Sequence, residues 1–191
     1  MIRVLIALTA LVVFGTATAA PVTYRLDPDH TYPSFEADHM GGLSVWRGKF
    51  RTTGGSVVLD KEAKTGSVDV TVDLTSIEFG HTKLNDHVKG PDMFDTAKYP
   101  TGKYTGKLVK FKDGAPTEVD GTFTLHGVTK PVNLTIRTFM CKMSPMLKKE
   151  VCGADAWAVI NRADYGVDYG KAYGFNMDVK LLISVEGVRQ D

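Results

Sequence analysis

Five histidines, His30, His39, His81, His87 and His126, are the first residues to test for chemistry. None stands in an H-E-x-x-H motif, and no two are four apart, as a zinc-binding helix requires. His30 and His39 can meet at the rim of a barrel, where a metal site competes with a plain structural role. His126 stands in a tight turn, where a ring nitrogen can satisfy nearby backbone groups, and we assign it that role rather than catalysis. Arg162 and Asp164 read as an ion pair that fixes a turn; the sharper alternative is that Arg162 meets a polar ligand headgroup. There is no G-x-S-x-G and no glycine-rich loop opening a helix, so neither a serine nucleophile nor a phosphate cradle can be assembled. The chain is read as a binding protein and not as an enzyme, with no cofactor and no metal.

Cys141 and Cys152 have no C-x-x-C spacing. If bridged, they close a short loop and tie two strands across a hairpin, a structural rather than a redox pair. Between them, the loop over 142–149 places Met143, Met146 and Leu147 among Lys142, Lys148 and Lys149. One reading is transient contact of this loop with an anionic membrane surface. The bland reading is a solvated tip. A third makes Cys141, Met143 and Met146 soft ligands for Cu(I), which a disulfide would preclude.

The apolar residues suit binding better than catalysis. A lipid tail needs a cavity lined by aliphatic and aromatic side chains, and it gains roughly 0.8 kcal/mol per buried CH₂. Candidates for such a lining are Trp46, Phe50, Val70, Val72, Phe79 and Leu84, and further along Phe94, Phe123, Leu125, Trp157 and Phe175. The same side chains would fill an ordinary core. That leaves a second function class open, a filled structural or stress-related module that acts through protein partners.

The elements that must position these residues follow from period-2 alternation. Val68, Val70, Val72 and Leu74 alternate with polar residues, so one face of that strand is predicted to meet water, as antiparallel sheets allow. Trp46, Gly48 and Phe50 share a face opposite Arg47, Lys49 and Arg51. Thr53-Gly54-Gly55 is read as a turn before a strand over 56–59. Around Gly121–Arg137, Phe123 and Leu125 and then Val132, Leu134 and Ile136 form two arms of a hairpin, with His126–Pro131 as the connection and Pro131 starting the second arm. Trp157 and Ile160 lie on one later strand. Met177, Val179, Leu181, Ile183 and Val185 face one way on the last. Only the stretch near residues 82–98 reads as helical, with Leu84 and Val88 at i, i+4; with Met93 and Phe94 it can plug one end of a barrel. About eight to ten short strands without βαβ alternation predict an antiparallel barrel or sandwich.

Several motifs resemble those of the YceI family. Leu125-His-Gly-Val-Thr-Lys-Pro131 is similar to its signature hairpin. Tyr24-Arg-Leu-Asp-Pro-Asp-His30, Phe35 to His39, Gly48-Lys-Phe50, Ser67-Val-Asp-Val70 with Leu74-Thr-Ser-Ile77, Leu84-Asn-Asp-His87 and Asp92-Met-Phe-Asp95 with Tyr99-Pro100, and Ile160–Gly166 resemble further family elements in the same order. The chain departs from the family pattern over Thr82–His87 and Ala172–Val179, which flank the expected channel. The resemblance implies an all-β, lipocalin-like barrel of eight antiparallel strands or slightly more. It also implies a hollow interior that sequesters or carries an isoprenoid-type lipid with a polyprenyl or quinone tail.

The N-terminus reads as a secretory signal: Arg3, an apolar run from Val4 to Phe14, then small residues with Ala17 and Ala19 as an A-x-A site. The expectation is a cleaved segment over 1–19, a single barrel domain over 20–191, and a periplasmic location. Arg3 is the one charge that the segment carries, so the remainder has as many acidic as basic side chains. Such a balance, with no basic block, argues against a nucleic-acid partner.

Overall fold

Alternating sequence carries the chain into strands, and four brief interruptions let a strand break without leaving its neighbour. The computed structural model describes residues 20–190; the expected signal segment, 1–19, lies outside the described residues. Strands β1 (Val22–Leu26) and β2 (Tyr32–His39) both run antiparallel to the last strand of the chain, with Tyr24 opposite Arg189 and Phe35 opposite Leu181. They are one stave, interrupted over 27–31. There the Asp27 carboxylate accepts the Asp29 amide at 3.0 Å and lies 2.9 Å from His30 Nδ1. The buried Thr31 hydroxyl donates to the Glu186 carbonyl at 3.2 Å.

β3 (Ser44–Phe50) and β4 (Thr53–Asp60) form the second interrupted stave, and β5 (Thr65–Asp73) with β6 (Ile77–Glu78) the third. Thr53-Gly54-Gly55 is therefore strand and not the expected turn: Gly54 pairs with Thr71 and Gly55 with Val70. The bend falls earlier, at Arg51 and Thr52, whose backbone groups bond to Ser76 and Asp73. β7 (Thr101–Lys112), β8 (Ala115–Leu125), β9 (Val128–Pro131), β10 (Leu134–Met143), β11 (Glu150–Asn161) and β12 (Asp178–Arg189) complete the meander. β9 and β10 both lie along β8, and β12 closes on β1, so the segments make an antiparallel barrel of eight staves.

The signature hairpin is tighter than expected. His126 and Gly127 have φ of 52° and 77°, the pattern of a two-residue turn with both central residues left-handed. Leu125 already pairs with Val128, so the second arm begins at Val128 and Pro131 ends β9 instead of starting a strand. Its missing N–H costs nothing there, because Val132 resumes the ladder by donating to the Gly121 carbonyl at 2.8 Å. His126 has the structural role assigned to it: Nδ1 lies 3.1 Å from the Tyr165 carbonyl, and its ring packs 4.4 Å from that of Tyr99.

The two ends of the barrel differ. One holds the short turns β4–β5 and β7–β8, the first and last described residues, and a disulfide between Cys141 and Cys152, which face each other across β10 and β11. That bond removes the free thiol a Cu(I) site would need. The other end carries the helix α1 (Thr82–Lys89), the β2–β3 turn and the long link between β11 and β12. His81 caps α1 through Nδ1, which accepts the Leu84 amide at 3.3 Å. Asn85 fastens it to β6: its side-chain carbonyl accepts the Phe79 amide and its NH₂ donates to Glu78, each at 2.9 Å.

Candidate lipid-binding site

Inside the barrel the inward faces do not meet. They enclose a cavity of about 500 Å³ whose wall is almost wholly apolar, within the roughly 300–1,000 Å³ typical of ligand pockets. β3 contributes Trp46 and Phe50, β5 Val70 and Val72, and β8 Phe123 and Leu125. Phe79 follows β6, Leu84 and Val88 face in from α1, and Met93 and Phe94 fold back beneath it. Phe94 is anchored by its amide, which donates to the Val88 carbonyl at 3.0 Å. Around Phe35 the aromatic rings pack edge-on or tilted: Phe50 at 5.9 Å, Phe79 at 5.7 Å, and Trp46 6.3 Å beyond Phe79. Gly48 makes room for them, since a Cβ there would lie 2.6 Å from the Phe35 ring and 2.8 Å from that of Phe79.

Trp157 does not line the cavity. On β11 the inward residues are Ala154, Ala156 and Ile160, and Trp157 has the opposite parity. It lies on the outer face, with the Arg137 guanidinium 5.2 Å from its ring centroid. The physical reason is room: small residues on β11 leave the space that a tryptophan would fill. Other wall residues that the sequence reading did not single out are Phe35, Ala37, Ile136 and Phe139. The alternation of β2 and β10 carries that signal.

The cavity opens at the α1 end. The two lining residues that remain exposed to solvent, His87 and Tyr169, both stand there, with ring centroids 4.9 Å apart. His39 packs between Trp46 at 5.5 Å and Phe175 at 5.4 Å. His30 is at the far end of β2 from His39, so the two do not meet at a rim. Arg162 is buried in the wall near the mouth. Its guanidinium donates to the carbonyls of Val167 and Tyr169, both at 2.8 Å, in place of the expected ion pair with Asp164. Burial draws its pKa down, and the nearby carboxylates of Asp168 and Asp38 oppose that shift. Asp38 accepts the amides of Asn176, Gly41 and Gly42 at 2.8, 2.9 and 2.6 Å, and these bonds, that from Asn176 foremost, hold its carboxyl below the usual range. Nothing in the spacing of Asp38, His87 or Tyr169 marked them in the sequence.

Deeper in, Thr53 lines the wall and its buried hydroxyl has no hydrogen-bond partner among the described residues. Tyr104 donates to the Val132 carbonyl at 2.9 Å, and burial pushes its phenol pKa upward. Beyond the floor, Glu150 gathers the Tyr24 hydroxyl at 2.7 Å, Lys61 at 2.6 Å and Arg189 at 3.7 Å. Burial and then Glu150 push the Tyr24 phenol up to about 12.

An eight-staved antiparallel meander around an apolar, one-ended hollow defines a lipocalin-like barrel. Residues 24–187 match the model of the YceI-like domain, and the chain belongs to that family. It is 34% identical over 186 residues to Protein YceI of Escherichia coli O6:H1, covering 95% of this chain and 94% of that protein. Its fold is similar to that of BcnA from Burkholderia cenocepacia, with a TM-score of 0.66 at 20% identity over 84% of this chain and 98% of the other. It also resembles a polyisoprenoid-binding domain from Saccharophagus degradans, with a TM-score of 0.63 at 16% identity over 87% of this chain and 98% of that domain.

Proposed function

We propose that this protein is exported to the periplasm, where it sequesters or carries an isoprenoid-type lipid with its polyprenyl or quinone tail in the barrel. The observation that carries this reading is the hollow, apolar interior. A long unbranched or methyl-branched tail gains free energy along its whole length from such a wall and needs no polar partner there. The charged and imidazole groups of the wall stand at the mouth, where Arg162, His39 and His87, with Tyr169, can meet a headgroup that stays near water. The polyisoprenoid-binding domain with the same fold supports this choice of ligand class. Export is supported by the signal-like segment 1–19, and by a disulfide of the kind that persists in oxidising compartments. The catalytic motifs sought in the sequence are absent, so we read the role as binding without turnover.

The test is native mass spectrometry of protein purified from the exported fraction, followed by organic extraction. A discrete mass excess that resolves to a prenyl chain supports the reading. An apo mass that stays unchanged after incubation with quinone and polyprenyl lipids contradicts it.

A further inference from the structure

We propose that the rim of the cavity mouth is a docking surface for a lipid bilayer, through which the tail passes without crossing water. The inference rests on the carrier reading and adds the partner from which the ligand is collected. Beside α1, two loops form the rim, 40–43 between β2 and β3 and 168–176 before β12. Their outermost side chains are large and apolar: Met40 is 56% exposed, Leu43 73% and Tyr173 76%. None of the three lines the cavity, yet each is close in sequence to a residue that does. Met40 follows His39, Leu43 precedes Trp46, and Tyr173 precedes Phe175.

The loops are held as one platform. Asp38 accepts amides from both, Gly41 and Gly42 on one side and Asn176 on the other. His39 of β2 packs on Phe175, and a Cβ on Gly41 would lie 3.0 Å from the Gly174 carbonyl. Apolar tips fixed in this way around the opening are not explained by the packing of the barrel, since they touch water and not the core. They give a tail an apolar route from acyl chains, past the polar groups of the mouth, to the aromatic cluster inside.

The charges near the rim decide the kind of membrane contact. Residues 40–43 carry none, 168–176 carry one acid, Asp168, and one base, Lys171, and α1 beside them carries Lys83, Asp86 and Lys89. With acids and bases so nearly balanced, docking at this end depends on apolar insertion and not on anionic headgroups. The other exposed apolar tip, Met143 and Met146 with Lys142, Lys148 and Lys149, is at the opposite end of β11, away from the mouth.

Flotation of the purified protein with phosphatidylcholine vesicles tests this, at low and at high salt. The expected result is co-flotation with neutral vesicles that salt does not reverse. The double substitution Leu43→Asp, Tyr173→Asp should weaken vesicle binding by at least about tenfold, and Met146→Asp should leave it unchanged. A soluble farnesyl analogue, titrated without vesicles, should bind the double variant as it binds the wild type, which also shows that the variant is folded. Three outcomes overturn the inference: no flotation, flotation that requires anionic lipid and is lost in Met146→Asp, or full binding by the double variant. If the wild type takes up the farnesyl analogue but does not float, docking falls and the carrier reading stands. If it floats but takes up no isoprenoid, docking stands and the carrier reading falls.

Discussion

Thr53 shows at the level of one side chain what it means for a wall to face a cavity. Its hydroxyl is buried and has no hydrogen-bond partner among the described residues, so no protein group replaces the water lost on folding. Thr53→Val keeps the shape and removes the unmet polar atom; we expect it to stabilise the unliganded protein by about 1 kcal/mol, read from urea denaturation. A loss of stability would show that the hydroxyl is satisfied after all. Arg162 is the contrasting case. It is just as buried, but two carbonyls from the β11–β12 link take its guanidinium, so it builds the mouth that it lines. The sequence announced Arg162 as important but not its partners. Hydrogen bonds to carbonyls five and seven residues away depend on the turn geometry of the link, which residue types do not reveal. Trp157 was misread for a related reason. A large aromatic draws attention as a ligand contact, whereas a hollow barrel needs Ala154 and Ala156 on the inward side of that strand.

At the level of elements, the strands were legible wherever alternation ran unbroken, as in β5 and β12, and so was the helix, through Leu84 and Val88. The interruptions were harder to see. A run such as Thr53-Gly54-Gly55 looks like a turn by composition, yet here the ladder with β5 overrides local preference. Two devices hold the far end. The disulfide joins β10 to β11 across a sequence separation of 11 residues. Its reduction should cost about 3 kcal/mol on the loop-entropy argument, measured by denaturation with and without dithiothreitol. A loss near zero would mean that the hairpin is already ordered in the unfolded ensemble. The second device is Glu150 at the start of β11. Its bond with Lys61, aided by those with Tyr24 and Arg189, holds its carboxyl below the usual glutamate range. A carboxylate with a depressed folded-state pKa contributes stability that is complete above the unfolded value and lost as pH falls through the folded one. The stability gap between wild type and Glu150→Gln should therefore be constant near neutrality and shrink on acidification through and below that range. A gap that did not change with pH would contradict the assignment.

At the level of the whole molecule, the closed meander explains how one chain can be both stable and hollow. Every stave has two paired neighbours over part of its length, so the wall can stand without a filled centre. The sequence made the barrel and its ends readable but left the interior open, because the same aromatic and aliphatic residues could pack together or line a space. The volume enclosed depends on their directions, and that is a property of the closed barrel and not of any segment. Ala156 offers the most direct test. It sits on the inner face of β11, where a larger side chain would project into the cavity. In a filled barrel Ala156→Trp would overpack the core and cost roughly 1–3 kcal/mol. The measurement to make is the paired stability and prenyl-lipid affinity of wild type and Ala156→Trp. Our account predicts that the variant keeps its stability to within about 1 kcal/mol while lipid binding is lost. A strongly destabilised variant, or one that binds the lipid as well as the wild type, would contradict it.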